Sequence, residues 1–282
     1  MSIELAYSDS GSGPAVVLIH AFPLDRSMWD AQVPALAAQY RVIAVDLRGF
    51  GGSPLGDDAP HLDAMADDVA ALLDRLEITK CVVAGLSLGG YVSMALLRRH
   101  ARLFAGLMLI DTKGTADGDA AANNRERIAA TVEDDGNVDV LISDVLPALT
   151  GETTKLDRPQ VVALIADIVR RADPASVAWV QRAMAARPDS VDTLEDFEEP
   201  ALVVVGDEDV LAPVAEAQMM LDALPDATLA VIPGCGHLSA MERPDDLTAI
   251  MLDYLDELAA AGSFDGAQSS LMRMNPKADV DD

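Results

Sequence analysis

Cysteine is almost missing from this chain: Cys81 and Cys235 are the only two in 282 residues. Two thiols without metal-ligand spacing exclude a disulfide framework and a thiolate metal centre. Cys81 reads as a small apolar strand residue and Cys235 as a loop filler. Positive charge is scarce as well. With 20 Lys and Arg against 47 Asp and Glu, the formal charge is −27, which repels nucleic acid and anionic membrane. No stretch approaches the roughly 18 uninterrupted apolar residues of a membrane span. The start, Met1-Ser2-Ile3-Glu4-Leu5, has no basic region and no long apolar region. These absences predict no nucleic-acid and no membrane partner, and a cytoplasmic location. They leave the oligomeric state unspecified.

What is present is a large apolar inventory, 50% of residues, in a chain long enough to bury roughly 75% of its unfolded surface and still enclose a pocket. The organising stretch is Val82-Val83-Ala84-Gly85-Leu86-Ser87-Leu88-Gly89-Gly90. It reads as the end of a buried strand, a GxSxG turn and a helix over residues 91–100. Ser87 sits at the junction. A sharp strand-to-helix turn strains the serine backbone, and side chains at positions 85 and 89 would collide across it. A serine there also meets unpaired N–H groups and the positive end of a helix. By itself GxSxG also suits a tight turn without chemistry, so the rest of the chain decides.

Residues 3–8 alternate weakly before the turn chemistry of residues 9–14, which predicts an antiparallel edge hairpin. Residues 15–20 and 40–46 are continuous apolar runs, the pattern of strands buried on both faces. A helical pattern over 27–39 separates them. Residues 62–76 carry Leu62, Met65, Val69, Leu72, Leu73 and Leu76 at helical intervals, leading to a strand at 80–85. Arg98, Arg99 and His100 close the helix after Ser87, where cations suit the dipole. A further strand spans 104–110. This alternation predicts an α/β fold with a mostly parallel, doubly wound sheet of about eight strands and right-handed crossovers. Residues 115–199 then show only helical segments, at 124–133, 138–146, 159–171 and 174–187, placed between a sixth and a seventh strand. The strand pattern returns at 200–206 and 228–232, with helices at 215–224 and 245–260. The reading is therefore a core of residues 1–114 and 200–260, an inserted helical unit at 115–199, and a mobile tail at 261–282.

Four further segments follow strand ends in order: His20-Ala21-Phe22-Pro23, Asp46-Leu47-Arg48-Gly49-Phe50-Gly51-Gly52-Ser53, Gly206-Asp207-Glu208-Asp209 and Gly234-Cys235-Gly236-His237. With the GxSxG turn they resemble the α/β-hydrolase superfamily, in the branch of 3-oxoadipate enol-lactonases, small esterases and cofactor-free haloperoxidases. The resemblance spans most of the chain. It implies the α/β-hydrolase fold, with residues 115–199 as a lid. It also implies a triad of Ser87, Asp209 and His237, with Asp207 as the second candidate for the acid and Glu208 facing solvent. The ends of parallel strands share one rim, so these remote residues can meet. The backbone N–H groups of Phe22 and Leu88 would form the oxyanion hole. Ala21 departs from the family's usual glycine; if the loop required a positive φ there, Ala would cost about 1 kcal/mol. His20 reads as a structural ring, and Asp46 and Arg48 as partners of neighbouring loops.

The expected activity is hydrolysis of a small carboxylic ester or lactone through an acyl-enzyme, with no cofactor and no metal. Leu146, Trp179, Leu211 and Leu238 are the expected pocket residues, and Ile142, Ile165 and Met184 are further apolar lid positions that serve as roof or as the lid's own core. The same resemblance leaves three alternatives: a cofactor-free haloperoxidase or perhydrolase, which would depend on peroxide and acetate; a carbon-carbon bond hydrolase; and a non-enzymatic ligand receptor, which would bind without turnover.

Overall fold

The computed structural model describes residues 2–264. Within them the apolar runs become seven strands: β1 (Tyr7–Gly11), β2 (Ala15–Ile19), β3 (Arg41–Val45), β4 (Cys81–Leu86), β5 (Phe104–Ile110), β6 (Ala201–Gly206) and β7 (Ala227–Ile232). They form one sheet in the order β1-β3-β2-β4-β5-β6-β7. All pairs are parallel except β1 with β3. Every residue of β2, β4, β5 and β6 is buried, as a sheet covered on both faces requires. The edge strand β1 instead alternates exposed and half-buried residues.

The seven strands are close to the eight expected, and the N-terminus departs from the expected pairing. No edge hairpin forms, because β2 already has β3 and β4 on its two sides. Residues Tyr7–Gly11 pair with β3 instead, Tyr7 opposite Val45. The helical stretch follows the fifth strand rather than the sixth.

Helices α1 (Gln32–Leu36), α2 (Leu62–Arg75) and α3 (Leu88–His100) connect the first half of the sheet. Residues 27–39 do not make one helix. Pro34 lacks the N–H that an extended helix would use, so it sits in the first turn of α1, and a separate 3-10 turn spans Arg26–Trp29. Between β5 and β6 lie α4 (Asp119–Asp135), α5 (Glu152–Asp157), α6 (Pro159–Val169), α7 (Pro174–Ala185) and α8 (Val191–Glu195). The expected helix at 138–146 is a π turn at Leu141–Val145 followed by a 3-10 turn at Leu146–Ala148, since Pro147 removes a donor from a regular ladder. After β6 come α9 (Val214–Ala223), α10 (Ser239–Glu242) and α11 (Pro244–Ala260). The tail expected at 261–282 lies outside the described residues beyond position 264. No helix among the described residues is long and apolar enough to cross a membrane.

The chain runs outward from β2 to β3, returns to place β4 on the other side of β2, and then proceeds away from it. That reversal opens a crevice at the carboxyl ends of β2 and β4. Phe22 follows β2 and Ser87 follows β4, so both lie at this switch point.

Candidate active site

Ser87 occupies the turn between β4 and α3 with φ 54° and ψ −110°, a conformation rarely taken by a residue with a side chain. The turn is tight enough to require its glycines. A Cβ at Gly89 would stand 2.1 Å from the Ile19 carbonyl oxygen, and one at Gly85 would stand 2.2 Å from that of Gly89. Both obstacles are backbone. Gly89→Ala is therefore expected to cost about 3 kcal/mol, read from the urea midpoint, because β2 and α3 must separate to admit one methyl. A loss below about 0.5 kcal/mol would contradict this packing.

Asp209 follows β6 and His237 follows β7, and the structure brings both to Ser87. His237 Nε2 lies 2.8 Å from Ser87 Oγ, and its Nδ1 lies 2.7 Å from Asp209 Oδ2. The second carboxylate oxygen of Asp209 accepts the amides of Leu211 and Ala212, at 2.8 and 2.9 Å. Burial alone would push the Asp209 carboxyl up, but the charge and hydrogen bond of His237 and these amides hold it below its ordinary value. For His237, burial pulls downward. The charge and hydrogen bond of Asp209, joined by Asp111 and Glu242, outweigh it and raise the imidazole above its usual 6.5.

Asp207, the second candidate for the acid, is turned to the surface, where it accepts the Gly234 amide at 2.7 Å. Glu208 is half-buried and does more than face solvent. It accepts the amide of Thr153 at 2.8 Å and that residue's hydroxyl, tying the acid loop to α5. His20 is fully buried, its Nδ1 directed at the Ala21 carbonyl and its Nε2 accepting the Leu47 amide, both at 2.9 Å. Burial pushes its pKa down, in keeping with that neutral tautomer. Among the described residues only Glu77, Ser87 and Asp111 are non-glycine positions with positive φ, so Ala21 carries no such strain. Arg48 grips Asp68 with two hydrogen bonds of 2.7 and 3.0 Å, and Asp46 accepts the amides of Arg26 and Gly52, both at 2.8 Å.

Two buried carboxylates escaped the sequence reading. Asp111 ends β5 and accepts the amides of Gly206 and Ser239, both at 3.0 Å, so it joins the ends of the two strands to the residues after His237. Burial and the nearby Asp209 push its carboxyl up to about 7. Glu242 accepts the amides of Gly236 at 3.1 Å and Leu238 at 3.0 Å, on either side of His237, and that of Gly151 at 2.8 Å. Nothing in their spacing marks them. Their role comes from backbone amides that only the folded loops gather.

A cavity of about 240 Å³ opens over Ser87 and His237, lined also by Phe22, Tyr91, Leu149, Met184 and Leu211. A larger cleft of about 400 Å³, bounded by Pro23, Phe50 and Ser176, contains none of the three. Of the four expected pocket residues, Leu211 lines the cavity, whereas Leu146, Trp179 and Leu238 do not. Leu238 is wholly buried. Trp179 donates its indole N–H to the Asp58 carbonyl at 2.7 Å and stacks under Arg48, 5.3 Å from the ring centre. Leu146 packs in the hydrophobic core, and its neighbours Val145, Ala148 and Leu149 reach the cavity instead. Leu88 opens α3, so its N–H has no partner within the helix. No group of three or more His, Cys, Asp and Glu among the described residues is disposed to hold a metal ion.

A parallel sheet wound on both sides, with a serine elbow at its switch point and a histidine and an aspartate from later strand ends, defines an α/β-hydrolase architecture. The chain belongs to the Alpha/beta hydrolase family, whose model matches residues 16–250. It is similar to a pimeloyl-(acyl-carrier protein) methyl ester esterase of Aromatoleum aromaticum, 32% identical over 86% of this chain and 98% of that one. Among solved structures it is similar to a thermophilic esterase from Thermogutta terrifontis in a malate-bound form, with TM-score 0.88 and 40% identity over 91% of this chain and 94% of the other. It is also similar to the enol-lactonase of Burkholderia xenovorans, with TM-score 0.82 and 29% identity over 89% and 96% of the two chains.

Proposed function

We propose that this protein is a serine hydrolase that cleaves a small carboxylic ester or lactone through an acyl-enzyme intermediate. The observation that carries the proposal is the unbroken line from Ser87 Oγ to His237 Nε2 at 2.8 Å and from His237 Nδ1 to Asp209 at 2.7 Å. Ser87 Oγ attacks the substrate carbonyl carbon while its proton passes to His237 Nε2. Asp209 keeps the Nδ1–H tautomer in place and stabilises the imidazolium. The carbonyl oxygen takes up the negative charge against the Phe22 and Leu88 amides, each worth about 3 to 4 kcal/mol in comparable sites. The tetrahedral intermediate collapses, His237 returns the proton to the leaving alkoxide oxygen, and the acyl group stays on Ser87. A water molecule then gives its proton to His237 and attacks the acyl carbon, freeing the acid and restoring Ser87.

A cavity of about 240 Å³ falls below the range typical of drug-sized ligands, which favours a small acyl group. The helices of residues 115–199 act as the lid, since α4 supplies Ile128 and α7 supplies Met184 to the wall over Ser87. The names of the esterase and enol-lactonase relatives agree with an ester or lactone substrate.

A panel of aryl esters and lactones of graded acyl length tests the reading. Short-chain esters are expected to turn over fastest without added peroxide, and an aryl fluorophosphonate is expected to label Ser87, seen by peptide mass. Labelling elsewhere, or stoichiometric binding with no product, would contradict it.

A further inference from the structure

The wall of the Ser87 cavity carries an ion group that the hydrolytic chemistry does not use. Asp117, whose side chain is wholly buried, is the common partner of three cations: Arg125, in direct contact with one oxygen, Arg187 at 2.8 Å and Lys113 at 4.0 Å. Two of the three are committed. Arg187 donates to the carbonyls of Met184 and Thr115 at 3.0 and 2.9 Å and stacks on Tyr91, 4.0 Å from the ring centre. Arg125 also reaches the Gln181 amide oxygen at 3.3 Å. The other carboxylate on the cavity wall, Asp144, is paired with Arg127 at 2.7 Å and accepts the Ser143 hydroxyl at 2.7 Å.

Lys113 is what remains. Its side chain is 21% exposed and lines the cavity, and the ion pair with Asp117 at 4.0 Å is its only polar contact among the described residues. An ammonium has three donors and loses hydration in a half-closed cleft, so it favours an anion beside it. In a chain of net charge −27 a surplus cation at this place is not a general surface property. A single ammonium suits one singly charged acceptor.

We infer that the substrate carries a free carboxylate, which Lys113 receives on the wall of the cavity that also holds Ser87. The inference rests on the hydrolase reading and narrows its substrate to a half ester of a small dicarboxylic acid. Ser87 acts on the ester carbonyl and Lys113 orients the chain, so acyl length sets whether both are reached together.

The test compares monomethyl esters of the straight-chain dicarboxylic acids from succinate to suberate with methyl esters of the monocarboxylic acids of equal length, by proton release at constant pH. At one chain length the half ester is expected to have a kcat/KM at least tenfold above its neutral counterpart, the size of one charge-assisted contact in a partly buried site. In Lys113→Met that ratio should fall about tenfold, and in Lys113→Arg most of it should be kept. A wild-type protein that hydrolyses neutral esters but prefers no half ester overturns this inference alone. So does a preference that survives in Lys113→Met. Failure to hydrolyse any ester overturns the hydrolase reading and this inference with it. Should Lys113→Met not fold, the wild-type comparison decides.

Discussion

Ser87→Ala is expected to lower kcat on a short-chain aryl ester by about 10⁴- to 10⁶-fold, the loss seen when the nucleophile of a comparable triad is removed. Folding should be intact, because the hydroxyl is half-exposed and its hydrogen bond is to His237, not to the sheet. Ser87→Gly sharpens the result. It removes the hydroxyl equally and also relieves a backbone held at φ 54°, so its unfolding free energy in urea should be about 1 kcal/mol above that of Ser87→Ala. Activity retained in either variant would remove Ser87 from the chemistry. An unchanged midpoint in Ser87→Gly would mean that the elbow stores no strain.

Asp209→Asn is expected to cost about 10⁴-fold in kcat, because the amide can present N–H to Nδ1 and favour the wrong imidazole tautomer. The pH profile gives the second readout. In the proposed mechanism only neutral His237 accepts the Ser87 proton, so kcat/KM is expected to fall as pH drops through the imidazole pKa. In the wild type that acid limb should lie above 6.5, since the charge and hydrogen bond of Asp209 outweigh burial. Without the carboxylate, burial prevails and the limb should move to lower pH. The residual activity of Asp209→Asn, followed from about pH 5 to 9, tests the sign. A limb that stays in place would show that another group controls His237, and Asp111, buried beside it, would be the first to examine.

Much of the fold was legible because its signals are local. Strands covered on both faces must be continuously apolar, and the runs at 15–20, 40–46, 80–85, 104–110, 200–206 and 228–232 became β2 to β7 with small shifts at their ends. The first strand was misread for a non-local reason. Whether residues near Tyr7 pair with β2 or β3 depends on which edge is left free once β4 has taken its place. Short elements such as α5, α8 and α10 also went unseen, since four to six residues hold too little periodicity to register.

The site divides in the same way. Ser87, Asp209 and His237 stand next to glycine-rich turns at strand ends, so their positions could be written down from motif and order. The pocket residues could not. Trp179 has the bulk of a pocket wall yet spends its N–H on Asp58 and its face on Arg48, while Met184 and Leu149 reach the cavity. An apolar side chain in a helical segment reads the same whichever neighbour it meets.

The sequence by itself determined the order of the main strands and helices and the strained serine turn, because each depends on neighbours within a few positions, and Asp209 and His237 were implied by the resemblance of their loops to a known family. Tertiary structure alone decided that Asp111 and Glu242 gather the amides around His237, that Glu208 binds Thr153, and that Lys113 is left as the surplus cation of the cavity. Asp111 reaches amides 95 and 128 residues away and Glu208 one 55 residues away, and even the short-range contacts of Glu242 and Lys113 depend on how the folded loops and charges around them are arranged, which no local pattern encodes.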